Sequence, residues 1–132
     1  DLFQMDLVEG RPEDFMDRLA TMLKDIPYES HNEKTYQNLA YLLCRLSGTE
    51  ASLEHHSYLG RSDMEVRTRR FIYIFEFKYN RSVEEAMKQL HERDYAGRYA
   101  LDPRTLYLIG ANFSDKAPYR GLTGYEIEKI EK

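Results

Sequence analysis

The chain has 132 residues, 42% hydrophobic and 32% charged, the composition and size of one soluble globular domain rather than of a disordered segment. Its net charge of −4 argues against a protein that holds nucleic acid by bulk electrostatics, since such binders carry a basic excess. No apolar run approaches the roughly 20 residues of a membrane-spanning helix, the first residues lack the pattern of a signal peptide, and the single cysteine, Cys44, rules out an internal disulfide and fits a reducing, cytoplasmic compartment.

The first predicted element is a helix from Pro12 to about Lys24. Pro12 suits the first helical position, Glu13 and Asp14 answer the positive end of the helix dipole, and Phe15, Leu19, Met22 and Leu23 make one stripe. Ile26-Pro27 stops it. A second helix is expected from about Asn32 to Leu46, with Tyr36, Leu39, Ala40, Leu43 and Leu46 on its apolar face and Gly48 as its stop.

The period then changes. Residues 51 to 58 are a weak strand, and Gly60 marks a turn. Asp63 to Val66 alternates, and Arg70 to Lys78 reads RFIYIFEFK, a strongly β-forming run. It is apolar on both faces except near its end, which predicts a central strand covered on both sides. Ser82-Val83-Glu84-Glu85 is a capping box, opening a helix that should reach about Tyr95 with Val83, Ala86, Met87 and Leu90 inward. Asp102-Pro103 turns the chain into a second buried strand, Thr105 to Ala111. The segment 71–111 is therefore a β-α-β unit with parallel strands. Tyr125 to Ile130 alternates as an edge strand. The sum is a three-layer α/β domain with a mixed sheet.

Glu76 and Lys78 are the most informative residues, because alternation puts them on one strand face with Ile72 and Ile74. If that face is buried, both groups must be paired or bind an ion. The plain alternative is a Glu–Lys pair fraying out at the strand end. A hairpin turning near Thr68-Arg69 would place Asp63 opposite residues 74 to 76, where facing Cβ atoms lie about 4.5–5.5 Å apart. Asp63 and Glu76 would then repel unless a cation lay between them. Hard carboxylate oxygens suit Mg²⁺ or Mn²⁺, and a lysine alongside can orient or deprotonate an attacking water.

Asp63 followed by Glu76-Phe77-Lys78 resembles the D-(x)n-E-x-K signature of the PD-(D/E)XK nuclease superfamily, and the order helix, two or three antiparallel strands, helix, strand resembles its restriction-endonuclease-like core. GRSDM (60–64), YIFEFK (73–78), SVEEAMKQL (82–90) and IGANFS (109–114) are similar to the C-terminal nuclease-like domain of a bacterial AAA-ATPase-like family found in Bacteroidetes. The resemblance implies that residues 1–132 are one nuclease-like domain, the C-terminal part of a longer ATPase-containing chain. It implies that Asp63 and Glu76 bind metal, with the Phe77 carbonyl adding a contact, and that Lys78 is the catalytic lysine. A further acid would be Glu33, on the first core helix, or Glu54. Gln89 matches a catalytic glutamine aimed at the site, and Tyr95 its tyrosine companion, expected on the nucleic-acid side with Arg61, at a spacing that differs from the usual one. Ser62 replaces the proline of the signature.

Plain readings stand beside these. Glu33 can be a first-turn helix acid and Gln89 a surface glutamine. His55-His56 project to opposite strand faces and suit solvent better than one shared ion. Arg61, Arg67, Arg69 and Arg70 fit a solvated turn, although Arg61, next to Asp63, is placed to contact phosphate. Cys44 reads as an inert buried thiol. Two functions compete: a Mg²⁺- or Mn²⁺-dependent phosphodiesterase acting on DNA, and a non-catalytic nucleic-acid-binding or interaction module for an attached ATPase.

Overall fold

Nine residues, Phe71–Tyr79, form the middle strand (β3) of a five-stranded sheet, and the remaining elements are arranged by what that strand's two faces need. A computed structural model of the chain describes residues 2–25, 38, 41–43, 45, 48, 50–56, 61–116 and 120–132, with the backbone alone for 52–56 and 61–63. In chain order the elements are α1 (Leu2–Val8), α2 (Pro12–Leu23), β1 (Glu50–His56), β2 (Arg61–Arg67), β3, α3 (Val83–Glu92), α4 (Tyr95–Arg98), β4 (Thr105–Ser114) and β5 (Gly121–Ile130). The sheet order is β1-β2-β3-β4-β5. Of these strands β3 and β4 run parallel, joined through α3, and the other neighbours are antiparallel.

Strand alternation sorts β3 into two cores. Phe71, Tyr73, Phe75 and Phe77 face α1 and α2, where Leu7, Phe15, Met16, Leu19 and Leu23 meet them. Tyr73 donates its hydroxyl to the Leu7 carbonyl at 2.6 Å, which ties α1 to the sheet. On the other face Ile72 and Ile74, with Leu106 and Leu108 of β4, meet Met87 and Leu90 of α3 and Tyr95 of α4. Each fully buried side chain of this kind is worth roughly 1.5–3 kcal/mol, so the six apolar and aromatic residues among the eight buried from Phe71 to Lys78 hold β3 at the centre. The mixed α/β fold expected from the sequence is the one observed.

The differences from expectation have local causes. The strands at 61–67 and 105–114 extend beyond the alternating cores of their sequences, because pairing continues past the apolar residues: β1 pairs with residues 61 and 62, β3 with β4 as far as Phe113, and β5 with Ser114. The helix opened by Ser82 ends at Glu92, short of Tyr95. Asp94 is left-handed (φ 51°) and caps the separate turn α4 by accepting from the Gly97 amide at 3.1 Å. Helix α1 is short and offers only Phe3 and Leu7 to the core, Phe3 edge-on to Phe15; its other buried residue, Asp6, is held inside by Arg18 Nε at 2.8 Å, a partner the local sequence does not reveal. Of the helix expected at 32–46, residues 38, 41–43 and 45 are helical and the rest lie outside the described residues.

Candidate active site

The β2–β3 hairpin closes tightly. The Thr68 amide donates to the Phe71 carbonyl at 2.8 Å, and the Phe71 amide returns a bond to Thr68 Oγ1 at 3.0 Å. This turn fixes the register, and the register pairs Asp63 with Glu76. On the other side of β2, Asp63 is paired with Glu54. Three acids therefore occupy one row across β1, β2 and β3.

Glu76 and Lys78 stand on the α3 face, 0% and 3% exposed. They are not a fraying pair at a strand end. Burial of two ionisable groups is tolerated only with close partners, and the structure supplies them. Arg93, at the C-terminal end of α3, donates Nη1–H to Glu76 Oε2 at 2.8 Å. Lys78 Nζ lies 3.6 Å from Glu76 Oε1 and donates a hydrogen bond to Gln89 Oε1. Glu76 Oε1 itself is fully buried and accepts no hydrogen bond from the described residues.

The delivery of Gln89 and Arg93 depends on how α3 is seated. Ser82 accepts from the Glu85 amide at 3.1 Å and starts the helix. Asn112, opposite Lys78 in the β3–β4 register, accepts from the Arg81 amide at 2.9 Å and pins the entry to the helix over β4. Gly110, opposite Glu76, lets the helix come down onto the sheet: a Cβ there would lie 2.7 Å from Met87 Sδ and 3.0 Å from Ala86 Cβ.

The structure thus brings together Glu76, Lys78 and Gln89 and places the backbone of Asp63 and Glu54 in the same row. Gln89 is 6% exposed and is no surface glutamine. The Phe77 side chain lies in the opposite core, so its contribution to the site is confined to its carbonyl. Tyr95 is 1% exposed, packed beneath α3 with the Arg98 guanidinium over its ring, and in this arrangement it presents no face to a base. Arg61 begins β2, in register with His56. Glu33 lies outside the described residues. Arg67 pairs with Glu65 at 3.1 Å, while Arg69 and Arg70 are exposed and line, with Arg104, a pocket of about 340 Å³ at the far end of β3. The residue that sequence reasoning missed is Arg93. A signal for it exists: Arg93 follows Gln89 by four, the helical spacing that puts both on one face.

Family relationships agree with this geometry. A profile described as the PD-(D/E)XK nuclease superfamily matches residues 31–121, a span that holds the acid row, Lys78, Gln89 and Arg93. The chain belongs to this superfamily. Its mixed sheet, flanked by α1 and α2 on one face and α3 on the other, is consistent with the restriction-endonuclease-like fold of PD-(D/E)XK proteins. The chain is also similar to a protein of Azotobacter chroococcum mcd 1 named "Uncharacterized protein in vnfD 5'region", with 29% identity over 100 residues. That match covers 74% of this chain and 19% of the relative, so the chain spans about a fifth of the length of the curated protein it matches. No solved structure matches. No helix among the described residues is long and apolar enough to cross a membrane.

PD-(D/E)XK nucleases typically use a divalent cation, and the residues here fit one. A buried carboxylate oxygen without a hydrogen bond is costly unless something occupies it, and Glu76 Oε1 is such an atom, in register with a second acid. Oxygen donors of this hardness select Mg²⁺ or Mn²⁺ over softer metals. Among the described side chains no group of three ligands converges; Glu76 is described to its carboxylate, Asp63 and Glu54 to the backbone.

Proposed function

We propose that this domain is a Mg²⁺- or Mn²⁺-dependent nuclease that hydrolyses phosphodiester bonds in DNA. The observation that carries the reading is the buried Glu76 carboxylate, one oxygen open, placed in register with Asp63 and 3.6 Å from the amine of Lys78. Asp63 and Glu76 are the proposed metal ligands, with the Phe77 carbonyl and either Glu54 or Glu33 as additional oxygens. A bound divalent cation supplies Lewis acidity toward the scissile phosphate and lowers the pKa of a coordinated water.

The chain's own groups do the rest. Lys78, held by Gln89, is oriented toward the Glu76 oxygen and is placed to hold or accept a proton of the attacking water. Its burial deprives it of competing solvent, so protein partners such as Gln89 and Glu76 set its direction. Arg61, at the start of β2, is the proposed phosphate contact. We further propose that the domain acts in the cytoplasm and is attached to an AAA-type ATPase, as in the family its sequence motifs resemble.

The test is nicking of supercoiled plasmid by purified protein with Mg²⁺ or Mn²⁺, compared with chelator. Cleavage that needs the metal and disappears in Glu76→Gln supports the reading. Absence of cleavage, with DNA binding intact, would favour the non-catalytic module.

A further inference from the structure

Two spacings coincide above the sheet. Glu76 and Lys78 are two residues apart on a strand, a separation of about 6.6 Å at the usual rise. Gln89 and Arg93 are four apart on and just past a helix, about 6 Å at the helical rise. The match lets one helix face address both strand residues at once: Gln89 bonds Lys78, and Arg93 bonds Glu76. A helix running antiparallel to β3 puts the earlier residue of one pair over the later residue of the other, which is the observed pairing.

From this arrangement we infer that Arg93 is a positioning residue for the metal site, selecting which oxygen of Glu76 is presented to a cation. This rests on the metal-dependent reading above. Its guanidinium takes Oε2 at 2.8 Å and leaves Oε1, the oxygen on the Lys78 side, without a hydrogen bond. The Arg93 side chain is 14% exposed and that of Glu76 is 0% exposed, so this charge-assisted bond is little weakened by water and holds Oε2 in place. Without it, the carboxylate would turn toward Lys78, the nearest remaining cation, at the expense of the direction a metal needs. Arginine suits the task better than lysine, because its planar guanidinium gives the one Nη1–H bond to Oε2 a fixed direction as well as a charge.

The inference makes a prediction whose sign separates it from simple electrostatics. Removing a cation beside a metal site should tighten binding if charge alone mattered. If Arg93 positions Glu76, its loss weakens binding instead, by about 10–100-fold, the range for residues that orient a metal's ligands. The probe is Mn²⁺ alone, titrated calorimetrically into wild type, Arg93→Met and Arg93→Lys, with folding checked by circular dichroism. Arg93→Met is expected to bind at least tenfold more weakly, and Arg93→Lys, which keeps charge without the planar guanidinium, about threefold more weakly. If Arg93→Met does not fold, Arg93→Lys carries the test. Equal or tighter Mn²⁺ binding in the folded variants overturns the role of Arg93 while leaving the metal site standing. Absence of Mn²⁺ binding in the wild type overturns the metal reading and this inference together.

Discussion

Glu76 and Gly110 face each other across the parallel β3–β4 ladder. The carboxylate therefore has no side chain beside it on β4, and α3 descends into the space, with Met87 Sδ only 2.7 Å from where a Cβ would sit. The same descent brings Gln89 within reach of Lys78 and Arg93 within reach of Glu76. One missing methyl group links the packing of the helix to the geometry of the site.

Gly110→Ala tests that link. The Ala86 methyl is 3.0 Å from the added Cβ and cannot rotate away, so α3 must lift. Overpacking of this kind costs about 1–3 kcal/mol. The expected result in thermal or urea unfolding is a loss in that range. Loss of activity should exceed what the fraction unfolded explains, because lifting α3 also withdraws Gln89 and Arg93. A variant with wild-type stability would show that the sheet and helix adjust freely there.

The two acids of the row should respond differently to amide substitution. Glu76 is buried between Arg93 and Lys78, and Glu76→Gln leaves both buried cations without their anion, at a cost of about 3–5 kcal/mol to the metal-free protein. Asp63→Asn removes one negative charge from a row of three acids, and its metal-free stability should be unchanged or slightly higher. Both should abolish the rise in melting temperature on adding Mn²⁺, since only binding to the native state produces one. Differential scanning calorimetry with and without Mn²⁺ reads all four values. A Mn²⁺-induced rise that survives in both variants would place the metal elsewhere.

Much of this site is legible in the sequence. Asp63 opposite residues 74 to 76 follows from alternation and a turn near Thr68, because strand register has a period of two and a tight turn leaves few choices. The two-sided burial of β3 follows from RFIYIFEFK. Arg93 is not legible in the same way, since its role depends on where α3 ends and how closely it sits. The end is set by Asp94 entering the left-handed region, and the closeness by Gly110, a residue in another strand. Sequence periodicity carries the first kind of information and not the second. Tyr95 illustrates the converse: the family resemblance assigns it to the nucleic acid, and the chain turn at Asp94 packs it into the core instead.

Far from the acid row, the pH dependence of stability should carry a signature of Asp102. Hydrogen bonds from the Arg104 side chain and amide hold its pKa down to about 2, from an ordinary value of 3.8. A depressed folded pKa means that the carboxylate's contribution is fully present above the unfolded value and is lost as pH falls through the folded one. The loss should therefore fall below about pH 3.8 and be complete only near 2. Asp102→Asn should remove that part of the acid transition and leave stability at neutral pH lower than wild type. An NMR titration of the Asp102 carboxyl with a midpoint near 3.8 would contradict the assignment of Arg104 as its partner.

Lys78 gives the kinetic test of the proposed reaction. Lys78→Met keeps most of the buried volume and leaves both acids in place, so Mn²⁺ binding should be retained or strengthened by the loss of a neighbouring cation. The structural cost falls on Gln89, whose Oε1 loses the Lys78 donor, and should be about 1–3 kcal/mol. Cleavage should fall at least a hundredfold, because proton transfer and electrostatic stabilisation each contribute about 10²–10⁴-fold. DNA binding should fall only modestly, since one buried ammonium is not part of the phosphate-contacting surface. Nicking of supercoiled plasmid by wild type and variant, purified side by side, measures the effect, and single-turnover conditions separate it from product release. Equal rates in the two proteins would mean that the observed nuclease is a contaminant or that another group activates the water.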